Sequence, residues 1–217
     1  MREKLSKQQQ EAILDEGIRI FAASGYEKTR MSTIASAAGL SVGVLYRYYA
    51  NKEALFDACL DHGLKELDRF LEGLASEEQK PLDYAKTLIR SVRDHSARFA
   101  DTVRLYHEIT AERDPERAKV YAARIESVSG RLYGEIIAKA QAAGDVRSDL
   151  DPKFFALFLD NLLMSMQFAY CCPYYRERYR LFTGKDVFDM EDYAADQLLR
   201  FLESAFTLEQ SEIQHRS

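Results

Sequence analysis

The sequence predicts an all-α protein, a small three-helix head followed by a larger helical body, and three observations carry that expectation. Every long stretch spaces its apolar residues by three and four, without the sustained alternation a half-buried strand needs. Gly and Pro together number only 14 among 217 residues. Pro81, Pro115 and Pro152 each stand near a helix start, so the prolines punctuate helices without interrupting them. With 47% hydrophobic and 30% charged residues the chain can bury a sizeable core, which excludes disordered and low-complexity classes.

The first helix is expected to open at Ser6-Lys7-Gln8-Gln9, which has the form of a capping box. It continues through Ile13, Gly17, Ile20 and Phe21 and stops at Gly25. Two short helical patterns follow over 31–50, broken once at Gly39. Asn51 then caps one long amphipathic helix in which Phe56, Leu60, Leu64, Leu67, Leu71 and Leu74 recur every three or four residues. Further helices are expected near 82–100, 102–112 and 116–143, with a turn at Gly144-Asp145. Asp151-Pro152, an N-cap followed by proline, starts a helix to about Tyr170 that is apolar nearly all round, so protein must cover both its sides. Asp160, Asn161, Ser165 and Gln167 interrupt it. A central Asp alone costs about 2.5 kcal/mol or more in a bilayer, so it reads as a buried protein helix and no membrane partner is expected. Tyr174 to Arg180 should continue that helix or add a turn before Gly184, and a last helix should run from about 189 to 207.

Charge is unevenly placed. The total is −5, yet residues 1–52 carry eight Lys/Arg against five Asp/Glu, a surplus of +3 that leaves −8 for the rest. Any polyanion should therefore meet the head. No apolar signal region opens the chain, and Cys59, Cys171 and Cys172 cannot all pair internally, so a cytoplasmic protein with reduced thiols is expected.

The chemistry is concentrated at 31–50, where the spacing is that of a helix-turn-helix. Such a unit needs a small residue at the helix crossing, a residue tolerant of positive φ in the turn and apolar anchors beneath. Ala35, Gly39 and the set Ile34, Ala38, Leu40 and Leu45 supply them. Ser41 can cap the second helix, whose free N–H groups would then face a phosphate. Entering a major groove N-terminus first, that helix brings Val42, Gly43, Val44 and Arg47 to base edges. Tyr46, Tyr48 and Lys52, with Arg30 and Thr33 from the preceding helix, are expected on phosphates.

The run Ile34-Ala35-x-x-Ala38-Gly39-Leu40-Ser41-x-Gly43-x-Leu45-Tyr46-x-Tyr48-Tyr49-x-Asn51-Lys52-Glu53-x-Leu55 closely resembles the DNA-binding signature of the TetR family of bacterial transcriptional regulators. Tyr48 stands where that family often has histidine and Tyr49 where phenylalanine is frequent. The resemblance covers about residues 8–60. It implies a DNA-binding domain over 1–52, a ligand-binding and dimerisation domain over 53–217, and a repressor released from a palindromic operator. It also implies a homodimer formed through the last two long helices, for which the one-sided final helix offers Leu198, Leu202 and Ala205. A variable pocket is implied as well. In this body an apolar or aromatic ligand would be lined by Phe99, Tyr106, Tyr121, Phe158, Asn161, Met164 and Phe168.

The competing class is a non-catalytic helical module whose head meets protein. His107-Glu108 opens like a zinc-protease helix but lacks a second histidine at 111, so neither a metal nor a cofactor is expected, and no catalytic constellation marks an enzyme.

Overall fold

Ser6 opens the first helix, α1 (Lys7–Lys28), with a complete capping box: its hydroxyl accepts from Gln9 N–H at 3.2 Å while the Gln9 side chain accepts from Ser6 N–H at 2.9 Å. Gly25 leaves the helical path at φ 75°, as expected of a stop, but a further turn to Lys28 follows it. The structure, a computed structural model, describes residues 5–75 and 81–206, and among them there is no strand. The short helices α2 (Met31–Ala37) and α3 (Val42–Tyr48) precede α4 (Lys52–Ala75), whose start is capped by Asn51 Oδ1 accepting from Ala54 N–H at 2.8 Å.

A single α5 (Pro81–Ile109) stands where two helices were expected, since residues 100–102 contain neither glycine nor proline and nothing there breaks the ladder. Asp114 caps α6 (Pro115–Ala143), accepting from Arg117 N–H at 2.9 Å, and Gly144 at φ 79° closes it. α7 (Pro152–Cys171) starts on Asp151, which accepts from Lys153 N–H at 2.8 Å. Pro173 cannot prolong α7's hydrogen bonding, so a separate α8 (Pro173–Thr183) begins there and ends at Gly184 with φ 73°. A 3₁₀ turn at Val187–Asp189 leads into α9 (Glu191–Phe206); residue 207, the expected end, lies outside the described residues.

The chain packs as two units, Met1–Leu67 with Phe99–Tyr121, and Asp68–Arg98 with Ala122–Ser217. A division at residue 52 does not match these limits, because the first turns of α4 belong to the head's interior. Phe56 meets Phe21 edge-on at 5.1 Å and Tyr26 at 5.2 Å, and Gly17 lies against the Cys59 sulfur. Ile13, Ile34, Leu45, Leu55 and Leu60 complete that core.

The second unit has its own core, built from Leu88 and Ile89 of α5, Tyr133 and Ile137 of α6, Leu159 and Leu163 of α7, and Leu202 and Phe206 of α9. Phe155 stacks on Phe206 at 4.9 Å, and Arg147 N–H donates to the Phe206 carbonyl at 2.9 Å. By length and composition α7 would suffice to cross a bilayer, yet one side of it is this core. Its other side, with Phe154, Leu157 and Phe158, stays exposed, so the cover expected for both sides comes from the chain itself on one side only.

Candidate nucleic-acid interface

The turn between α2 and α3 is set by its backbone. Gly39 adopts φ 68°, which an L side chain resists, and Leu40 N–H returns to the Ala35 carbonyl at 2.8 Å. Ala35, Ile34 and Met31 are buried under α2, and Leu45 is 0% exposed under α3. Ser41 caps α3 through its hydroxyl, which accepts from Val44 N–H at 3.4 Å; the hydroxyl thus holds the helix end and is exposed beside it.

With Leu45 fixed inward, the opposite side of α3 is turned outward. Val42, Gly43, Tyr46 and Arg47 are exposed and Val44 is half-buried, while Arg30 and Thr33 are exposed at the start of α2. These residues share one side of the head, built from two short helices whose anchors are buried. What the arrangement can do chemically is present guanidinium, phenol, methyl and bare backbone to a surface that accepts a helix.

Two residues expected on phosphates have partners within the protein. The Lys52 ammonium donates to the carbonyls of Tyr26 at 2.8 Å and Glu27 at 3.2 Å and stands 4.2 Å over the Tyr26 ring, fastening α4 to the last turn of α1. Two of its three donors are thereby used. The Tyr48 hydroxyl accepts from Leu5 N–H at 2.7 Å and ties the segment before α1 to the end of α3. Tyr46 keeps its expected exposure.

Further ties hold the turn between α5 and α6 to the head within the same unit. Arg117 pairs with Glu53 at 3.4 Å and Glu112 at 3.2 Å, and the Tyr121 hydroxyl donates to Asp57 at 3.1 Å. The Asp114 N–H bonded to Glu112 holds that carboxylate below its ordinary range, whereas burial pushes the Tyr121 phenol up. A cleft of about 560 Å³ opens beside them, lined by Gly25, Tyr26, Phe56, Glu108, Arg117 and Tyr121.

The seven residues expected to line a ligand pocket are divided. Phe99, Tyr106 and Tyr121 belong to the first unit, and Phe158, Asn161, Met164 and Phe168 to the second. Phe168 is buried against Tyr175, with rings 4.9 Å apart. Phe158 and Asn161 correct the expectation: both are exposed on α7, with the Asn161 amide donating to the Leu157 carbonyl at 2.8 Å, so neither lines an interior of its unit. The final helix needs a correction too. Leu202 is 2% exposed and Leu198 and Ala205 pack on the same core, because the apolar stripe of α9 faces its own unit; Tyr193 and Phe201 face outward instead.

Asp160, one residue before Asn161, points the other way. Burial, then the charge of Glu126, raises it to about 6, against the opposing hydrogen bond of Ser129. The buried hydroxyls of Tyr84 and Tyr170 have no hydrogen-bond partner among the described residues. A polar residue within an apolar helix marked Asp160 in the sequence, but nothing marked the two tyrosines apart from other aromatics.

The pattern of the family described as bacterial regulatory proteins, tetR family, matches residues 13–59, from within α1 through α2, the Gly39 turn and α3 into α4. An uncharacterized HTH-type transcriptional regulator, YfiR of Bacillus subtilis, is 30% identical over 176 residues, covering 76% of this chain and 82% of its own. The HTH-type transcriptional repressor ComR of Escherichia coli is 25% identical over 170 residues, covering 73% and 78%. Among solved structures, the transcriptional regulator FadR from Bacillus subtilis in complex with stearoyl-CoA aligns over 90% of this chain and 98% of its own, with a TM-score of 0.70 and 16% identity.

Proposed function

We propose that this chain, which belongs to the tetR family of bacterial regulatory proteins, is a sequence-specific DNA-binding transcriptional repressor that a small-molecule ligand releases from a palindromic operator. The observation that carries the reading is the split of α3: Leu45 is sealed beneath the head while Val42, Gly43, Tyr46 and Arg47 face outward together. A helix so mounted enters a major groove by its N-terminal end. Arg47 then reads guanine O6 and N7, the valine methyls meet thymine methyls, and Gly43 lets the backbone come close. Tyr46, Arg30, Thr33 and the capped end at Ser41 serve the phosphates.

Two copies act together on a site of matching symmetry, with recognition helices roughly 34 Å apart or slightly more. They pair through the outward sides of α7 and α9, where Phe154, Leu157, Phe158, Tyr193 and Phe201 are uncovered. A ligand that favours another spacing of the heads weakens DNA binding by its differential affinity. The ties from Arg117 and Tyr121 to Glu53 and Asp57 give the α5–α6 turn a direct grip on the start of α4. For the ligand, the aromatic body and the likeness to the FadR fold solved with stearoyl-CoA support a long-chain acyl-coenzyme A. No catalytic role is assigned, and the protein works in the cytoplasm with its DNA.

Fluorescence anisotropy with DNA flanking the protein's own coding region, at two salt concentrations, tests the reading. Tight, salt-dependent binding to a symmetrical site is expected, released by stearoyl-CoA, and Arg47→Ala should relax the preference at one base pair of each half-site. Affinity no better than for random DNA would overturn the repressor reading. Operator binding that stearoyl-CoA leaves unchanged would overturn the ligand class alone.

A further inference from the structure

α8 is an unusual helix for this chain: none of its residues is buried. It nevertheless is firmly held. Asp186 receives Arg176 at 2.8 Å and also Arg180, and the former hydrogen bond above all holds the Asp186 carboxyl down to about 2. Tyr175 packs edge-on to Phe168, Cys172 N–H donates to the Phe168 carbonyl at 2.7 Å, and Gly184 N–H closes the far end on the Arg180 carbonyl at 2.8 Å. A helix fixed at both ends thus presents Tyr174, Leu181 and Phe182 to the outside at 71%, 85% and 78% exposure, with the Arg178 guanidinium over the Phe182 ring.

We infer that α8 is an arm of the homodimer, its Leu181 and Phe182 covered by a second copy of this chain. The inference rests on the reading that two copies pair through α7 and α9. α8 is the connection between those two helices, joined to α7 through Cys172 alone and braced at its other end by the turn that leads to α9. It is thus continuous in the chain with both helices that carry the uncovered face. The area points to the same occupant. At about 200 Å² per large aromatic side chain, the five outward residues of α7 and α9 offer roughly 550 Å². A stable interface takes about 800 Å² per partner. Tyr174, Leu181 and Phe182 add roughly 450 Å² on the same scale, which carries the face past that requirement. Left in water, an apolar surface of this extent is larger than monomers ordinarily show.

Sedimentation equilibrium of the full chain tests the arm, comparing the wild type with Leu181→Ser/Phe182→Ser and with Phe201→Glu. Both substituted sites are surface positions, so helix content by circular dichroism should be unchanged. The double variant is expected to raise the dimer dissociation constant at least about 100-fold, since each of the two protomers loses two large side chains from the interface. Amides of α8 in the wild type should gain protection from hydrogen exchange as protein concentration passes through that constant. If Phe201→Glu weakens the dimer while the double variant leaves it unchanged and α8 protection does not depend on concentration, the arm is refuted and the α7–α9 pairing stands. If Phe201→Glu has no effect, that pairing is itself refuted. A dimer unaffected by the double variant, which instead loses co-sedimentation with phosphatidylglycerol vesicles, would reassign the surface to lipid.

Discussion

Gly43 separates a stability effect from a binding effect in one substitution. It lies in the first turn of α3 with ordinary helical φ, unlike Gly39 at φ 68°, and a Cβ built on it meets nothing within 4 Å. Gly43→Ala should therefore stabilise the protein by about 0.5–1 kcal/mol, since alanine loses less backbone entropy in a helix. In a chain of this size that raises Tm by roughly 1–4 °C. On DNA the sign reverses. If the backbone at Gly43 seats against the groove, the added methyl pushes α3 outward and Arg47 loses the alignment of a bidentate contact worth about 1–3 kcal/mol. Operator affinity should then fall roughly 10- to 100-fold. Thermal denaturation followed by circular dichroism and anisotropy on the operator read the two effects separately. A variant that is more stable and binds as tightly as the wild type would refute the close approach of α3, and with it the assignment of Gly43 to the base-reading edge.

Lys52→Ala removes two carbonyl partners and a cation over Tyr26, and should cost about 1–3 kcal/mol in a denaturant titration; unchanged stability would leave the ammonium as a phosphate contact only. Burial and Glu126 raise Asp160 to about 6 from an ordinary 3.8, so its stabilising contribution is complete below about pH 4 and is lost as pH rises through 6. Asp160→Asn should accordingly be more stable than the wild type by about 1–2 kcal/mol at pH 7.5 and level with it near pH 4; parallel stability curves across that range would contradict the buried setting. Gly17→Ala should cost about 1–3 kcal/mol because its methyl runs into the Cys59 sulfur, and Cys59→Ala in the same chain should recover most of it. Equal losses in the single and double variants would place the strain elsewhere.

The head was legible in the sequence because its determinants are local. A cap at Ser6, another at Ser41, a left-handed Gly39 and buried residues spaced within one or two turns each act over a few positions, and a reader of spacing can find them. Partners distant in the chain were not legible. Lys52 reaches back 26 residues to the Tyr26 carbonyl and Leu5 reaches 43 residues forward to Tyr48, and no periodicity encodes such pairs. Orientation was the second loss. Both sides of α7 are apolar, and α9 bears one apolar stripe through Leu198 and Leu202 and separate aromatics at Tyr193 and Phe201. Composition says that each must be covered without saying which side the chain covers itself. Asp160 and Asn161 show the same limit at single-residue scale, since one step along a helix turns a side chain by about 100° and only packing against α6 decides which faces Ser129.

The hydrogen bond from Leu5 to the Tyr48 phenol has a practical corollary for anyone handling this protein. The chain at Leu5 is thereby held beside the C-terminal end of α3. A purification handle upstream leads into that point, so operator affinities should be taken on protein from which it has been cleaved.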